Sequence, residues 1–191
     1  MVAPASSPSA AGILPRLGAW LVDLALAALA VQALHWSVFL ATGGPLALLD
    51  SGWKWYLFLL ATVSAPVAIA FAACESSKRR STPGKRLFGL EVADVYGARI
   101  GFARALARNA SKLVPWELTH LALCLAPSPL LGESWSRQAT LGIVLSYVLL
   151  GLDLGAAMMT RRQQSVHDLI AGSYVVRSAP RGSRVRRESS V

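Results

Sequence analysis

Long apolar runs constrain the fold of this 191-residue chain more than any other feature. Each is close to or longer than the roughly 20 residues that an α-helix needs to cross a bilayer. Charged residues make up only 15% of the chain, compared with about 25% in soluble domains. The sequence therefore predicts an all-α integral membrane bundle of four transmembrane helices, with spans at about 16–42, 53–75, 113–131 and 139–160.

The distribution of positive charges predicts the orientation of these spans. One Lys or Arg precedes the first span, nine lie between the second and third, and seven follow the fourth, whereas the other two loops hold only Lys54 and Arg137. Cytoplasmic loops carry the excess of basic residues in multi-pass proteins. We therefore expect a protein of the cell (inner) membrane with both termini and a basic middle loop in the cytoplasm.

Three domain regions follow from the composition. Residues 1–13 are rich in Ala, Ser and Pro, and residues 178–191 are basic, so both are predicted to be disordered tails around a transmembrane domain at 14–177. In the middle loop, two apolar stretches flank Tyr96-Gly97 and predict a short β-hairpin, with strands in Leu87–Val95 and Ala98–Phe102.

Two prolines are expected to change the direction of the chain. Phe102–Lys112 has an amphipathic pattern, which predicts a helix on the membrane surface before the chain turns inward at Pro115. Pro66 lies in the middle of the second span, where it should kink the helix.

Several function classes lack sequence support. The net charge is +9, but the sequence contains no nucleic-acid-binding motif, so we expect no nucleic-acid partner. Cys74 and Cys124 lie in apolar runs, as small buried residues do. Glu117 and His120 have the Glu-x-x-His spacing of di-iron bundles, but those sites need the motif twice. We expect no metal, no cofactor and no enzymatic activity.

Four sequence segments together resemble the RDD family of membrane proteins, which is named for one arginine and two aspartates. They read R-L-G-A-W-L-V-D, S-T-P-G-K-R-L-F-G-L-E-V-A-D-V-Y-G, F-A-R-A-L-A-R-N and R-R-Q-Q-S-V-H-D-L-I-A-G-S-Y-V-V. The resemblance places the family residues at Arg16, Asp23 and Asp168. In the family an Arg-Leu pair often follows the His-Asp pair of the last segment, whereas here Leu169-Ile170 follows it. It implies a membrane location and suggests a role in transport.

Ionisable residues inside the predicted spans point to a site. Asp23, Glu117, His120 and Asp153 all fall about 7–12 Å inward from the cytoplasmic ends of their helices. Because charged groups in a membrane are costly, they mark functional sites by default. We expect these residues to form a polar intramembrane site for a proton or small cation. The alternative is a hydrogen-bonded cluster that only holds the helices together.

Other polar residues have competing interpretations. Arg16 is expected either to anchor the first helix at lipid headgroups or to reach inward. Lys85 and Arg86 follow the Pro83-Gly84 turn and are candidate contacts for an anionic headgroup. The alternative is a simple turn whose positive charges only help to set the membrane topology. Asp168 follows His167, and we expect it to cap a helix or contact basic residues that dock the C-terminal segment onto the middle loop.

The sequence thus leaves two function classes open. The first is a multi-pass membrane protein that transports a small cation or proton. The second is a non-transporting anchor or scaffold whose basic loop binds anionic lipid or a partner protein. Four helices seldom enclose a transport path, so transport would call for a homo-oligomer or a membrane partner.

Overall fold

The computed structural model describes residues 9–43, 51–125 and 136–178. The chain is mostly helical, with one two-stranded sheet in the described regions. In chain order the elements are helix α1 (Ile13–Thr42), helix α2 (Gly52–Leu59), a π-helical turn (Leu60–Ser64), helix α3 (Ala65–Glu75), helix α4 (Pro83–Leu87), strand β1 (Leu90–Asp94), helix α5 (Phe102–Leu125), helix α6 (Arg137–Met159), helix α7 (Val166–Ile170) and strand β2 (Ser173–Arg177).

Three helices are long and apolar enough to cross a membrane. They are α1, the continuous helical segment Gly52–Glu75 that contains α2, the π turn and α3, and α6. They coincide with three of the four predicted spans. Most of their large apolar side chains face outward, as at Leu14 (81% exposed), Leu29 (69%) and Leu40 (77%). An exterior of this kind is stable in lipid and unfavourable in water.

A π-helical turn lies just before Pro66. The Ala65 N–H donates to the Leu60 carbonyl, five residues back instead of four. Proline has no N–H to continue an α-helical ladder, and π turns are a common way for a helix to absorb such a break. At Pro66, where the sequence predicts a kink, the structure therefore has a local π-helical turn.

Helix α5 differs from the prediction. It runs without interruption from Phe102 to Leu125 and contains Pro115. The predicted surface helix that turns inward at Pro115 is therefore wrong, because the amphipathic and the apolar stretches form one helix. Buried Pro115 removes one backbone hydrogen bond, and the turns on either side remain helical. The last residues of the predicted span, 126–131, lie outside the described residues.

The predicted local hairpin is also wrong. Strand β1 pairs antiparallel with β2, near the C-terminus, in a register that places Leu90 opposite Arg177 and Asp94 opposite Ser173. A tight turn does follow β1, because the Asp94 carboxylate accepts hydrogen bonds from two N–H groups of that turn. The chain then leads into α5 instead of returning along β1.

Residues 9–12, assigned by sequence to a disordered tail, lie against this sheet. Ala10 forms a bridge with Val176, and the Ala11 N–H donates to the Val175 carbonyl at 2.9 Å. Ala11 is fully buried with Ala19 and Leu90. The predicted tail 1–13 is therefore too long at its C-terminal end.

A small apolar core joins the sheet to the ends of the helices. Val92 of β1 packs with Ala72 of α3, with Ile100, which lies before α5, and with Ala105 of α5. All four side chains are excluded from solvent. This core brings the end of α3, the start of α5 and the sheet together, and so positions the polar residues described next.

Candidate functional site

Five charged side chains from five elements form one buried network, here named the arginine network: Arg16, Glu75, Lys85, Arg108 and Asp168. Arg108, only 1% exposed, lies at its centre. Its Nη1 donates to both oxygens of Glu75, at 2.7 and 2.9 Å, and its Nε and Nη2 donate to Asp168 Oδ1 at 2.8 and 2.6 Å. Lys85 pairs with Glu75, and Arg16 pairs with Asp168.

Local structure explains how these residues meet. Asp168 is the third residue of α7, where its carboxylate accepts from the Ser165 N–H and completes a capping box. Arg108, Ala105 and Asn109 share the buried face of α5, at the three- and four-residue spacings of a helix. Asn109 Nδ2 also donates to Glu75 Oε2 at 2.9 Å. The end of α3, the start of α5 and the cap of α7 therefore meet at one point.

Electrostatics keeps the network ionised. Burial raises the pKa of Asp168, but the positive charges around it, Arg108 foremost, outweigh this effect and hold the pKa well below its usual range. Burial lowers the pKa of Arg108, and Asp168 and Glu75 outweigh that effect and raise it. Each charge is stabilised only because its partners are present, as expected for buried ion pairs.

Asp23 has a different environment. Its carboxylate accepts hydrogen bonds from the Thr82 hydroxyl and from the Gly84 N–H, the latter at 2.7 Å. Both donors lie at the start of α4, and Asp23 is only 3% exposed. Gly84 lies so close to α1 that a Cβ there would be 2.1 Å from the Ala19 carbonyl oxygen. Asp23 thus fixes the T-P-G-K turn against α1.

Asp153 pairs with His167. The Nδ1 of His167 lies 2.8 Å from Asp153 Oδ1, and the His167 N–H donates to the same oxygen at 3.3 Å. Burial lowers the pKa of His167, more strongly than the Asp153 hydrogen bond raises it. This pair connects the end of α6 to α7.

Glu117 and His120 lie further along α5. The Ser64 hydroxyl donates to Glu117 Oε1, and His120 Nδ1 lies 3.3 Å from the same atom. The other carboxylate oxygen, Oε2, is buried and has no hydrogen-bond partner among the described residues. Since buried polar atoms are usually paired, this oxygen is a candidate position for a proton.

Two cavities lie beside these groups. The first, of about 500 Å³, lies between α1 and helices α5, α6 and α7; Asp23, Asp153 and His167 are part of its wall. The second, of about 320 Å³, lies between α1, α3 and α5, and Ser64 and His120 line it. Both cavities share three residues, Trp20, Lys112 and Trp116.

The structure thus divides the predicted four-residue site into three places. Asp23 and Asp153 line the first cavity but bind different partners, whereas Glu117 pairs with His120 beside the second. Within the described ranges, no cluster of three or more His, Cys, Asp or Glu residues is arranged to hold a metal ion.

The remaining predicted residues also have definite positions. Arg16 reaches inward to Asp168 and to the Gln163 carbonyl, so it is not a headgroup anchor. Lys85 is buried against Glu75 and cannot serve as the exposed headgroup contact that the sequence suggested, whereas Arg86 is exposed. Asp168 makes both of the contacts expected of it, a helix cap and pairs with basic residues.

Sequence reasoning missed the central role of Arg108 and Glu75. In the sequence, Arg108 is one of the nine basic residues between the second and third predicted spans, and Glu75 is only the last residue of the second predicted span. The usable signal was Asn109, a polar residue on the otherwise apolar side of the same helix, which lies next to Arg108. A polar neighbour of this kind indicates that the apolar side meets a buried polar partner.

Comparison with known proteins gives one match. A family model for the RDD family matches residues 10–172. No curated protein and no solved structure matches the chain. The matched range covers most of the chain and includes Arg16, Asp23 and Asp168, two of which are joined by an ion pair. With its three apolar helices of membrane length, this chain is a membrane protein that belongs to the RDD family.

Proposed function

We propose that this RDD-family protein crosses the membrane four times, with both termini and residues 76–112 in the cytoplasm. In addition to the three apolar helices, the apolar half of α5 that begins at Leu113 is the third crossing in chain order. The arginine network supports this arrangement, since it joins the start of α1, the end of α3, the start of α5 and the segment after α6. Four helix ends that share one network lie on one side of the membrane, and that side carries the excess of basic residues.

Cysteine labelling tests this topology. In a background with Cys74 and Cys124 changed to Ala, Tyr96→Cys should react with an impermeant maleimide only in inside-out vesicles, because Tyr96 is 90% exposed on the proposed cytoplasmic side. Ser51→Cys, before α2, should react only in right-side-out vesicles. Labelling of both positions from the same side would contradict the four-crossing topology.

We further propose that the protein conducts protons along the two cavities beside α1. The observation that carries this proposal is that both cavities share Lys112. His167 and Asp153 lie in the first cavity, and His120, paired with Glu117, lies at the second. Titratable groups therefore follow one another from the cytoplasmic end into the membrane, an arrangement used by proton relays.

A proton fits these groups better than a metal cation does. The carboxylates of Asp23, Glu75 and Asp168 already accept hydrogen bonds from protein donors. Glu117 Oε2 instead has no hydrogen-bond partner among the described residues. Since α1 leaves much of its surface to lipid, passage across the whole membrane would also use a second copy of the chain or a membrane partner to close the path.

Proton flux in proteoliposomes tests the proposal. With a trapped pH dye and an imposed membrane potential, the wild-type protein should acidify the lumen, and Glu117→Gln should abolish the flux while keeping the acceptor for Ser64. His35→Asn is the matched control, because His35 bonds Thr62 and lies on neither cavity. Flux that survives both Glu117→Gln and Asp153→Asn, or a wild-type protein without flux, would refute proton conduction.

The second candidate function is a non-transporting membrane anchor. It is favoured by α4 and the residue after it, where exposed Arg86 lies next to Leu87 (72% exposed) and Phe88. A basic residue beside exposed apolar side chains is typical of segments that rest on an anionic membrane surface. Absence of flux, together with a loss of anionic lipid retention in Arg86→Gln but not in Arg99→Gln, would support this function.

A further inference from the structure

The first cavity has two chemically different parts. Apolar side chains of three helices form its wall, among them Trp20, Trp116 and Leu149. Leu152, also part of the lining, is 58% exposed at the apolar exterior of α6, so the cavity borders the region that lipid chains occupy. At the other end lie Ser111, Lys112 and Arg108. The shape is that of a site with an apolar groove and a cationic end.

Lys112 differs from the other cations of this cavity. Arg16, Lys85 and Arg108 are each paired with a carboxylate. Lys112 makes no hydrogen bond or ion pair within the described part of the chain. Burial, together with the neighbouring charges of Lys85 and Arg108, lowers its pKa to about 7. An anion placed beside Lys112 would stabilise its charged form, because opposite charges favour ionisation.

The charges of Glu75 and Asp23 raise the pKa of Lys112, but within the described residues neither carboxylate forms an ion pair with it, and the carboxylates of the cavity wall already have partners. The oxygens of Asp23 accept from the Thr82 hydroxyl and the Gly84 N–H, and Asp153 is bonded to His167. The ammonium of Lys112 is therefore available to an external acceptor, whereas the hydroxyl of Ser111, also in the lining, already donates to the Arg108 carbonyl at 3.0 Å.

We propose that the first cavity binds an anionic phospholipid of the surrounding bilayer, with its phosphate at Lys112 and an acyl chain along the wall formed by Trp20, Trp116 and Leu149. The volume of about 500 Å³ lies in the range of small-molecule sites, roughly 300–1,000 Å³. An acyl chain matches the apolar wall, and the phosphate matches the unpaired ammonium. This site shares the first cavity and Lys112 with the proposed proton path, but the binding measurement below requires no proton flux, so either proposal can fail without the other.

Lipid binding can be measured by native mass spectrometry of the detergent-purified protein. Titration with dioleoyl phosphatidylglycerol, dioleoyl phosphatidylcholine and inorganic phosphate separates the contributions of headgroup charge, acyl chain and free phosphate. We expect phosphatidylglycerol to bind about fivefold more tightly than phosphatidylcholine. Lys112→Met should remove this preference, and Lys112→Arg should restore it, which separates charge from folding.

Two further variants complete the test. Leu149→Trp fills the apolar wall and should weaken binding of both lipids, whereas Arg99→Gln changes an exposed charge outside the cavity and should leave binding unchanged. Equal binding of the two lipids by the wild-type protein, or a preference lost in Arg99→Gln but kept in Lys112→Met, would overturn the proposal. Inorganic phosphate binding as tight as phosphatidylglycerol binding, insensitive to Leu149→Trp, would also overturn it and leave a phosphate site.

Discussion

Replacing Asp168 by asparagine is a direct test of whether the arginine network holds the helix ends that meet there together. Asparagine has nearly the same size and keeps one carbonyl acceptor, so the change removes mainly the negative charge. Arg108, buried and bonded twice to Asp168 Oδ1 at 2.8 and 2.6 Å, then keeps only Glu75 as an anionic partner. Arg16 loses its carboxylate partner altogether.

The size of the effect follows from these contacts. Breaking a buried ion pair by removing one partner costs about 3–5 kcal/mol. Since asparagine keeps one acceptor, we expect the lower end of this range, about 3 kcal/mol. For a chain of this length each kcal/mol shifts the unfolding temperature by about 2–4 °C, so Asp168→Asn should lower it by roughly 6–12 °C.

Thermal unfolding in detergent, followed by tryptophan fluorescence, measures this shift. Arg99→Gln is the control, because Arg99 is exposed and its removal leaves the network intact. A double-mutant cycle with Arg108→Gln then isolates the pair, and the two changes should be strongly non-additive. Unfolding temperatures that agree between Asp168→Asn and Arg99→Gln, or an additive cycle, would refute the stabilising role of the network.

Three further predictions concern separate parts of the structure. The folded state lowers the pKa of His167, so the unfolded state binds more protons just below pH 6.5. The free energy of unfolding should therefore fall as the pH drops from 7 to 5.5. Thermal unfolding at these pH values should show a smaller fall for His167→Asn than for the wild-type protein. Gly84→Ala should destabilise the protein strongly, whereas Gly151→Ala, with no atom within 4 Å of its added Cβ, should leave the unfolding temperature unchanged or raised; equal effects would contradict the close approach of α4 to α1. Asp23→Ala should lower the free energy of unfolding by about 1–3 kcal/mol through loss of two buried hydrogen bonds, and Asp23→Asn should lower it by less. Chemical unfolding in detergent measures both changes. A larger loss in Asp23→Asn would contradict the role of Asp23 as the acceptor for Thr82 and Gly84.

Local patterns predicted the membrane helices well. Hydrophobicity along the chain determines α1, Gly52–Glu75 and α6, because lipid requires every backbone group in a span to be bonded within its own helix. The pattern failed at Pro115, where it predicted a turn. Tertiary contacts on both sides of that proline keep α5 helical, and a single sequence does not contain that information.

The site was harder to predict because its members are distant in sequence. Depth along each helix predicted one polar layer, but depth gives no rotation about the helix axis. Asp23 and Glu117 have similar predicted depths and yet bond different partners, Gly84 and Ser64. Strand pairing failed for the same reason, since apolar stretches next to Tyr96-Gly97 favour a local hairpin and only the packed structure selects the distant β2.

The pairing of β1 with β2 has a consequence for how the protein is made. The ribosome releases Leu90 long before Arg177, and it releases Arg108 long before Asp168. Until α7 and β2 emerge, β1 lacks its partner strand and Arg108 has only Glu75 as an anionic partner. The layer formed by the sheet and the arginine network can therefore close only after Arg177 has emerged. A stop codon before Ser173 would release a chain with inserted helices and an unclosed layer, an exposed state of the kind that quality-control proteases recognise.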